Sequence, residues 1–264
     1  MITREQQLFI NHALPELKRD PRVVGIALAG SYIQKEKMDE FSSLDFVIAI
    51  SDEEWENVLG DRVEIAERLG TLLSCFTGEH IQSPNQLICL YDNPLIHVNL
   101  GFIPLSRVGQ RYDNPVVMFE KESLMSEAYW QEPVMTPIPD LQWFEDRFWI
   151  WVHFITTRIG RGELFDAIDS ISFLRLSVLG PLISMKNGKP AHGVRHIETD
   201  SPHDARMLIE TVASYDAKSC VRALKAATDM YISLRGMSKG EPFLREKAER
   251  AALEYLKRIS DRLR

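Results

Sequence analysis

The chain has 264 residues, of which 45% are hydrophobic and 26% charged, the balance of a globular protein large enough for one big domain or two modest ones. Its net charge of −7 and pI of about 5.6 lack the basic surplus that neutralises nucleic-acid phosphates, so no nucleic acid is expected as a partner. Three scattered cysteines, an N-terminus without an apolar leader, and apolar stretches broken by charges within about ten residues give the expectation of a cytoplasmic protein with no membrane partner.

Thr3 and Gln6 are spaced as a capping box, and Leu8, Ile10, Ala13, Leu14 and Leu17 follow at helical period, so a first helix is predicted before Pro21. Residues 23–29 form a β-branched-rich apolar run that reads as a buried strand ended by Gly30-Ser31. A polar loop from Gln34 to Glu40 leads to a second strand over 44–50. Ser51 and Glu54 are spaced as another capping box, and a helix is predicted from about Asp61 to Cys75. Further strands are predicted at 87–91, 95–104 and 116–120.

The character then changes. Residues 121–140 carry Pro133, Pro137 and Pro139 and read as irregular, with the linker proper placed at 126–139. Asp140 is positioned to cap a long helix whose Phe144, Phe148, Trp151 and Ile155 share a face, and its aromatics Trp143, Phe144, Phe148, Trp149 and Trp151 read as core in preference to a ligand-stacking role. Gly160-Arg161-Gly162 and Asn187-Gly188-Lys189-Pro190 mark breaks. Ser201-Pro202 is an N-cap followed by proline at the first helical position, and two or three helices complete the chain. The expected fold class is therefore α+β: a mixed sheet with flanking helices over 1–125, then a helical bundle over 140–264.

The chemistry-bearing constellation is Gly30-Ser31, thirteen residues, Leu44-Asp45-Phe46, and a later strand Leu95-Ile96-His97-Val98-Asn99-Leu100. A Gly-Ser turn lets backbone approach a phosphate and adds an N–H and a hydroxyl. Carboxylates at the start of neighbouring strands can hold divalent metals that bridge phosphate oxygens.

On these residues the chain resembles the DNA polymerase beta-like nucleotidyltransferases, whose pattern is Gly-Ser, a loop, Asp-x-Asp on the next strand and a third Asp later. Within that superfamily it is most similar to the aminoglycoside 6-adenylyltransferases. The likeness extends over Phe9-Ile10, Phe102-Ile103-Pro104, Arg147-Phe148-Trp149 and the stretch from Glu163 to Asp169. The resemblance implies a nucleotidyltransferase-type fold, ATP as substrate, Mg²⁺ as cofactor, and AMP transfer to a hydroxyl of a small cationic acceptor such as an aminoglycoside. It places Gly30 and Ser31 at the triphosphate and Asp45 at the metal, and it gives Glu163 and Asp169 on the helical half a part in holding the acceptor or in catalysis.

The departures from the pattern are chemical. The first acid of Asp-x-Asp is Ser43, and the third Asp is Asn99, so Asp45 is the one carboxylate left in the expected metal set of Ser43, Asp45 and Asn99. A hydroxyl and an amide are poor ligands for a hard cation, and an amide takes no proton at neutral pH. The alternative to an enzyme is thus an impaired relative that binds a nucleotide, a small molecule or a protein.

Other polar residues have two readings each. Asp39 is a loop acid that could swing toward the site or stay a surface charge. Glu163, Asp166 and Asp169 follow at i, i+3 and i+6, either facing a ligand or forming a solvated face. His97 shares a strand face with Asn99, bordering a cleft or simply hydrogen-bonded. His192 and His196 are four apart, but Gly188, Pro190 and Gly193 argue against the helix that metal ligation would need. Lys186 and Lys189 read as phosphate contacts or turn residues.

Overall fold

The computed structural model describes residues 1–34, 37–135, 140–189, 193–237 and 242–263, and of Met237 the backbone alone. The chain divides into two compact units, Met1–Met135 and Thr136–Arg264.

The first unit is a six-stranded mixed sheet with helices on its faces. Helix α1 (Arg4–Arg19) opens with the expected capping box, Thr3 and Gln6 each satisfying the other's backbone N–H. Strands β1 (Val23–Ala29) and β2 (Leu44–Ile50) form where apolar periodicity places them, followed by helix α2 (Trp55–Glu67). Then come β3 (Thr71–Gly78), β4 (Ser83–Asp92), β5 (Ile96–Pro104) and β6 (Val116–Glu120). The sheet order is β3-β4-β5-β2-β1-β6. Its one parallel pair is β2 with β5; the other neighbours run antiparallel.

The two faces of the sheet are packed differently. Phe46, Ile48, Val98, Leu100 and Phe102 point into a core shared with Phe9, Ile10, Ala13 and Leu17 of α1 and Val58, Ile65 and Ala66 of α2. The opposite face is covered near its β1–β6 side by a smaller cluster of Val24, Ala27, Ala49, Val108 and Met125. Met125 lies on helix α3 (Leu124–Gln131), which packs closely because Gly25 opposes it: a Cβ there would meet Met125 Sδ at 2.9 Å.

Three expectations are corrected in this unit. The helix anticipated over 61–75 is α2, ending at Glu67, and its second half is instead strand β3. Residues 126–139 were expected to be linker, yet α3 occupies their first part and is held by Met125 in the sheet's second cluster. Ser51 makes no side-chain cap; residues 52–54 form a short 3₁₀ turn before α2.

The second unit is helical. Helix α4 (Leu141–Arg161) is capped as expected, the Asp140 carboxylate accepting from Gln142 N at 2.9 Å and Trp143 N at 3.2 Å. Helix α5 (Leu164–Leu174) continues through a π-helical turn, Arg175–Leu179, into α6 (Gly180–Lys186). Short helices α7 (Ile197–Asp200) and α8 (Pro202–Ile209) precede the long α9 (Ala217–Met237) and α10 (Glu246–Arg262). Their apolar stripes meet in one core containing Phe144, Phe148, Trp149, Ile155, Ile171, Leu224 and Leu256, with Trp151 half-buried at its margin. Trp143, expected in the core, is instead exposed in the first turn of α4 under the Arg147 guanidinium.

The run Leu164–Lys186 corrects a further expectation, because at mean hydropathy 1.4 it is long and apolar enough to cross a membrane. In the fold its Ala167, Ile171, Leu174, Val178 and Leu182 are core residues of this unit.

At the centre of that core Glu145, 1% exposed, is held by five donations. Trp149 Nε1 and Tyr231 OH give 3.1 and 2.7 Å bonds, and Arg245 N gives 2.9 Å. Arg235 Nη1 reaches both carboxylate oxygens at 3.1 and 3.0 Å. A buried carboxylate is tolerated only with such full satisfaction.

Candidate functional site

Parallel pairing of β2 with β5 sets the site, because its register places Asp45 directly beside Asn99. Both side chains leave the sheet on the face opposite the α1–α2 core, since alternate residues of a strand point to opposite sides. Their polar ends meet: Asn99 Nδ2 donates to Asp45 Oδ1 at 2.6 Å. The carbonyl end of the same amide, Asn99 Oδ1, lies 3.1 Å from His97 Nε2, two residues earlier on β5. One amide orientation serves both contacts, with its N–H₂ toward the carboxylate and its oxygen accepting from an Nε2–H tautomer of His97.

The Gly30-Ser31 turn comes to the same place by a different route. Strand β1 ends at Ala29, which pairs with Asp45, and residues Gly30–Tyr32 then coil into a 3₁₀ turn. Gly30 has φ +60° and sits so close to Asp45 that a Cβ would fall 2.1 Å from Oδ2. Two independent constraints thus require glycine here: left-handed backbone and contact with the carboxylate. Ser31 is half-buried beside it. Ser43 precedes β2 by one residue, half-buried, at the offset of two that shares a face with Asp45.

The structure therefore brings together Gly30, Ser31, Asp45 and Asn99, with Ser43 at the adjoining strand start. It does not recruit Asp39. That carboxylate folds back on its own loop, accepting from Phe41 N at 3.0 Å and Ser42 Oγ at 2.9 Å. Among the described residues no three His, Cys, Asp or Glu side chains are grouped to hold a metal ion.

The fit to a divalent cation can be judged from the donor set. Asp45 offers the one charge, and its Oδ1 lone pair receives an amide hydrogen from Asn99. A cation approaching the shared position would meet an N–H dipole aimed the wrong way. The residues present do not fit a two-metal centre built from three carboxylates.

Residues not anticipated from sequence extend this site across the sheet. The register carries one row of side chains from Asp45 to Asn99, then Ile88 on β4 and Phe76 on β3. Phe76 is 55% exposed and its ring lies 5.6 Å from that of His80. Leu90, opposite His97, is likewise exposed. The polar spot thus has the Gly30 turn on one side and an apolar shelf on the other.

The acids expected on the helical half belong to the second unit. Glu163 binds Arg158, Oε2 to Nη1 at 2.5 Å, and Asp166 lies 2.9 Å from the same guanidinium. Asp169 is exposed on α5. Lys186 pairs with Asp204 at 2.7 Å and Lys189 with Asp200 at 3.3 Å, so both lysines serve local ion pairs. His192 lies outside the described residues, and His196 occupies a left-handed position before α7.

No protein-family model matches the chain, and no curated protein does. Solved structures to which it is similar include an aminoglycoside 6-adenyltransferase from Bacillus subtilis, at 16% identity over 98% of this chain and 99% of that one, TM-score 0.41. A nucleotidyltransferase-like protein from Exiguobacterium sibiricum matches at 11% identity over 88% and 76% of the two chains, TM-score 0.41. A STING-associated CdnE c-di-GMP synthase from Capnocytophaga granulosa matches at 11% identity over 98% and 80%, TM-score 0.31.

Proposed function

We propose that this chain binds a nucleoside triphosphate such as ATP at the Gly30-Ser31 turn. In this reading it is a catalytically impaired relative of enzymes that transfer AMP to a hydroxyl of a small cationic acceptor. The observation that carries the reading is the 2.6 Å hydrogen bond from Asn99 Nδ2 to Asp45 Oδ1. It keeps the two positions in the juxtaposition that metal-bridged phosphoryl transfer needs, while replacing a charged oxygen with a donor.

The chain's own residues would act on the nucleotide as follows. Gly30 gives the backbone close access, and Ser31 supplies a hydroxyl and an N–H near the start of a turn whose first amides lack partners within it. Asp45 lies against the turn, and Asn99 donates to it and shares its charge, which lowers the repulsion that an unpaired carboxylate would exert on the phosphates. Mg²⁺ is assigned no step here, because the donor set does not suit it. An acceptor would enter from the Asn99 side, opposite the turn. Asn99 cannot relieve its hydroxyl of a proton. Roles for Glu163 and Asp169 remain proposals of the family resemblance, and Glu163 would first have to leave Arg158.

The competing reading, an active adenylyltransferase, is favoured by the retained contact between Gly30 and Asp45. One experiment decides between them: transfer of label from α-labelled ATP to an aminoglycoside panel, with Mg²⁺ and then Mn²⁺. Wild type and the double variant Ser43→Asp/Asn99→Asp are run side by side. The binder reading expects label transfer only in the variant. Label transferred equally well by wild type would overturn it.

A further inference from the structure

The outer hairpin of the first unit carries a second reactive pair that the nucleotide site does not use. Strands β3 and β4 are antiparallel, and their register sets Cys75 directly opposite Cys89. Both side chains lie on the α1–α2 side of the sheet, where Cys89 is 1% exposed and Cys75 is half-buried at the edge of the same core. Both are free thiols.

Directly opposed residues of an antiparallel pair have Cα atoms about 4.5–5.5 Å apart, inside the range of about 4.4–6.8 Å that a disulfide spans. Their Cβ atoms, about 4.5–5.5 Å apart, must close to about 4 Å. That movement is available because β3 is an edge strand, bonded to β4 alone, with a register shift between Leu72 and Ser74 beside the pair. Among the described residues no strand pairs with its outer edge.

We infer that Cys75 and Cys89 form a site of reversible oxidation, closing into a cross-strand disulfide under a disulfide oxidant such as oxidised glutathione. The Cys75 thiolate, on the accessible side, attacks one glutathione sulfur and releases a glutathione thiolate. Cys89, having lost its proton, then attacks the Cys75 sulfur of the mixed disulfide and releases the second. Two protein thiols are oxidised, and one disulfide is reduced to two thiols.

Burial, reinforced by the neighbouring Cys75, pushes the Cys89 thiol up to about 12. The closing step therefore draws on a small thiolate fraction, and on reduction Cys89 is a poor leaving group. The bond forms slowly and opens slowly, and while closed it ties the edge strand that carries Phe76 to the strand that carries Ile88.

The test uses the intact protein with oxidised glutathione, quenched in acid, denatured and alkylated before mass measurement. The expected product has lost two hydrogens, retains one alkylatable thiol of the original three, and yields a Cys75–Cys89 linked peptide. Cys220→Ser should keep the loss and Cys75→Ser should abolish it. A persistent glutathione adduct on Cys75 overturns the inference, as does the retention of all three alkylatable thiols after prolonged exposure.

Discussion

Asn99 and Asp45 sit side by side on the parallel strands β5 and β2, joined by a 2.6 Å bond from the amide nitrogen to the carboxylate. This contact gives the Asp45 carboxylate an amide donor at a position where a second acid would repel it. Asn99→Asp should undo that. Two carboxylates in the same register lose a charge-assisted bond and gain a repulsion, at a cost of about 1–3 kcal/mol. The melting temperature should drop in chelator and recover when Mn²⁺ or Mg²⁺ is added, whereas wild type should respond to neither. A variant equally stable with and without metal would show that the pair does not approach closely enough to matter.

Gly30→Ala probes the turn. The new Cβ would sit 2.1 Å from Asp45 Oδ2 on a backbone at φ +60°. Left-handed strain alone costs about 1–2 kcal/mol for a residue with a side chain, and the carboxylate must also move. The expected result is a fall in melting temperature of a few degrees together with loss of ATP binding by titration calorimetry. Unchanged ATP affinity would place the nucleotide elsewhere.

Arg158 offers a check on the helical half. Its guanidinium engages Glu163 and Asp166 together, at a partly exposed surface site. Exposed pairs contribute little, so Arg158→Ala should change stability little while releasing both acids from it, Glu163 keeping Arg161 at 3.9 Å. If those acids hold a cationic ligand, the variant should bind streptomycin more tightly than wild type. Equal or weaker binding would argue that Glu163 is a partner of Arg158 and nothing more.

The sequence made the site's polar members legible because they lie where strong signals end. The β-branched run 23–29 stops at a Gly-Ser turn, and Asp45 is the one polar residue of an otherwise apolar strand over 44–50. The apolar shelf was half legible: the strand predicted over 87–91 carries Ile88 and Leu90, but the residues of β3 have a helical period. Leu72, Leu73, Cys75 and Phe76 continue α2's period by chance, and the register shift at Leu72/Ser74 breaks the alternation that would have marked a strand. Helix α3 was hidden for a different reason. It begins after Ser123 at φ 61° with no side-chain cap, next to a proline-rich stretch, and it is held to the sheet by tertiary contacts, Met125 in the second cluster and Ser126 on Glu120 of β6. Nor could sequence show that Asn99 donates to Asp45, since that depends on a pairing between residues 54 apart.

Glu145 gives the pH dependence its sign. Burial acts to raise its pKa, but the Arg245 N–H, Tyr231, Trp149 and Arg235 together outweigh it and hold the carboxyl below its ordinary value. Asp204 follows the same balance, burial opposed by Lys186 and Asn187, and is also lowered. A carboxyl with a depressed folded pKa contributes stability that is fully present above its unfolded value of about 4, and that is lost as pH falls through the folded one. The helical unit should therefore hold its urea midpoint from neutral pH to about pH 5 and lose it progressively below about pH 4. Glu145→Gln removes one of the two carboxylates that face Arg235, leaving Glu249 at 2.7 Å, at a cost of about 1–3 kcal/mol at neutral pH. Its midpoint should also fall less steeply on acidification, because one of the carboxyls with a lowered pKa is gone. Parallel acid profiles for wild type and variant would show that Glu145 keeps the same pKa folded and unfolded, and that its five hydrogen bonds do no more than offset its burial.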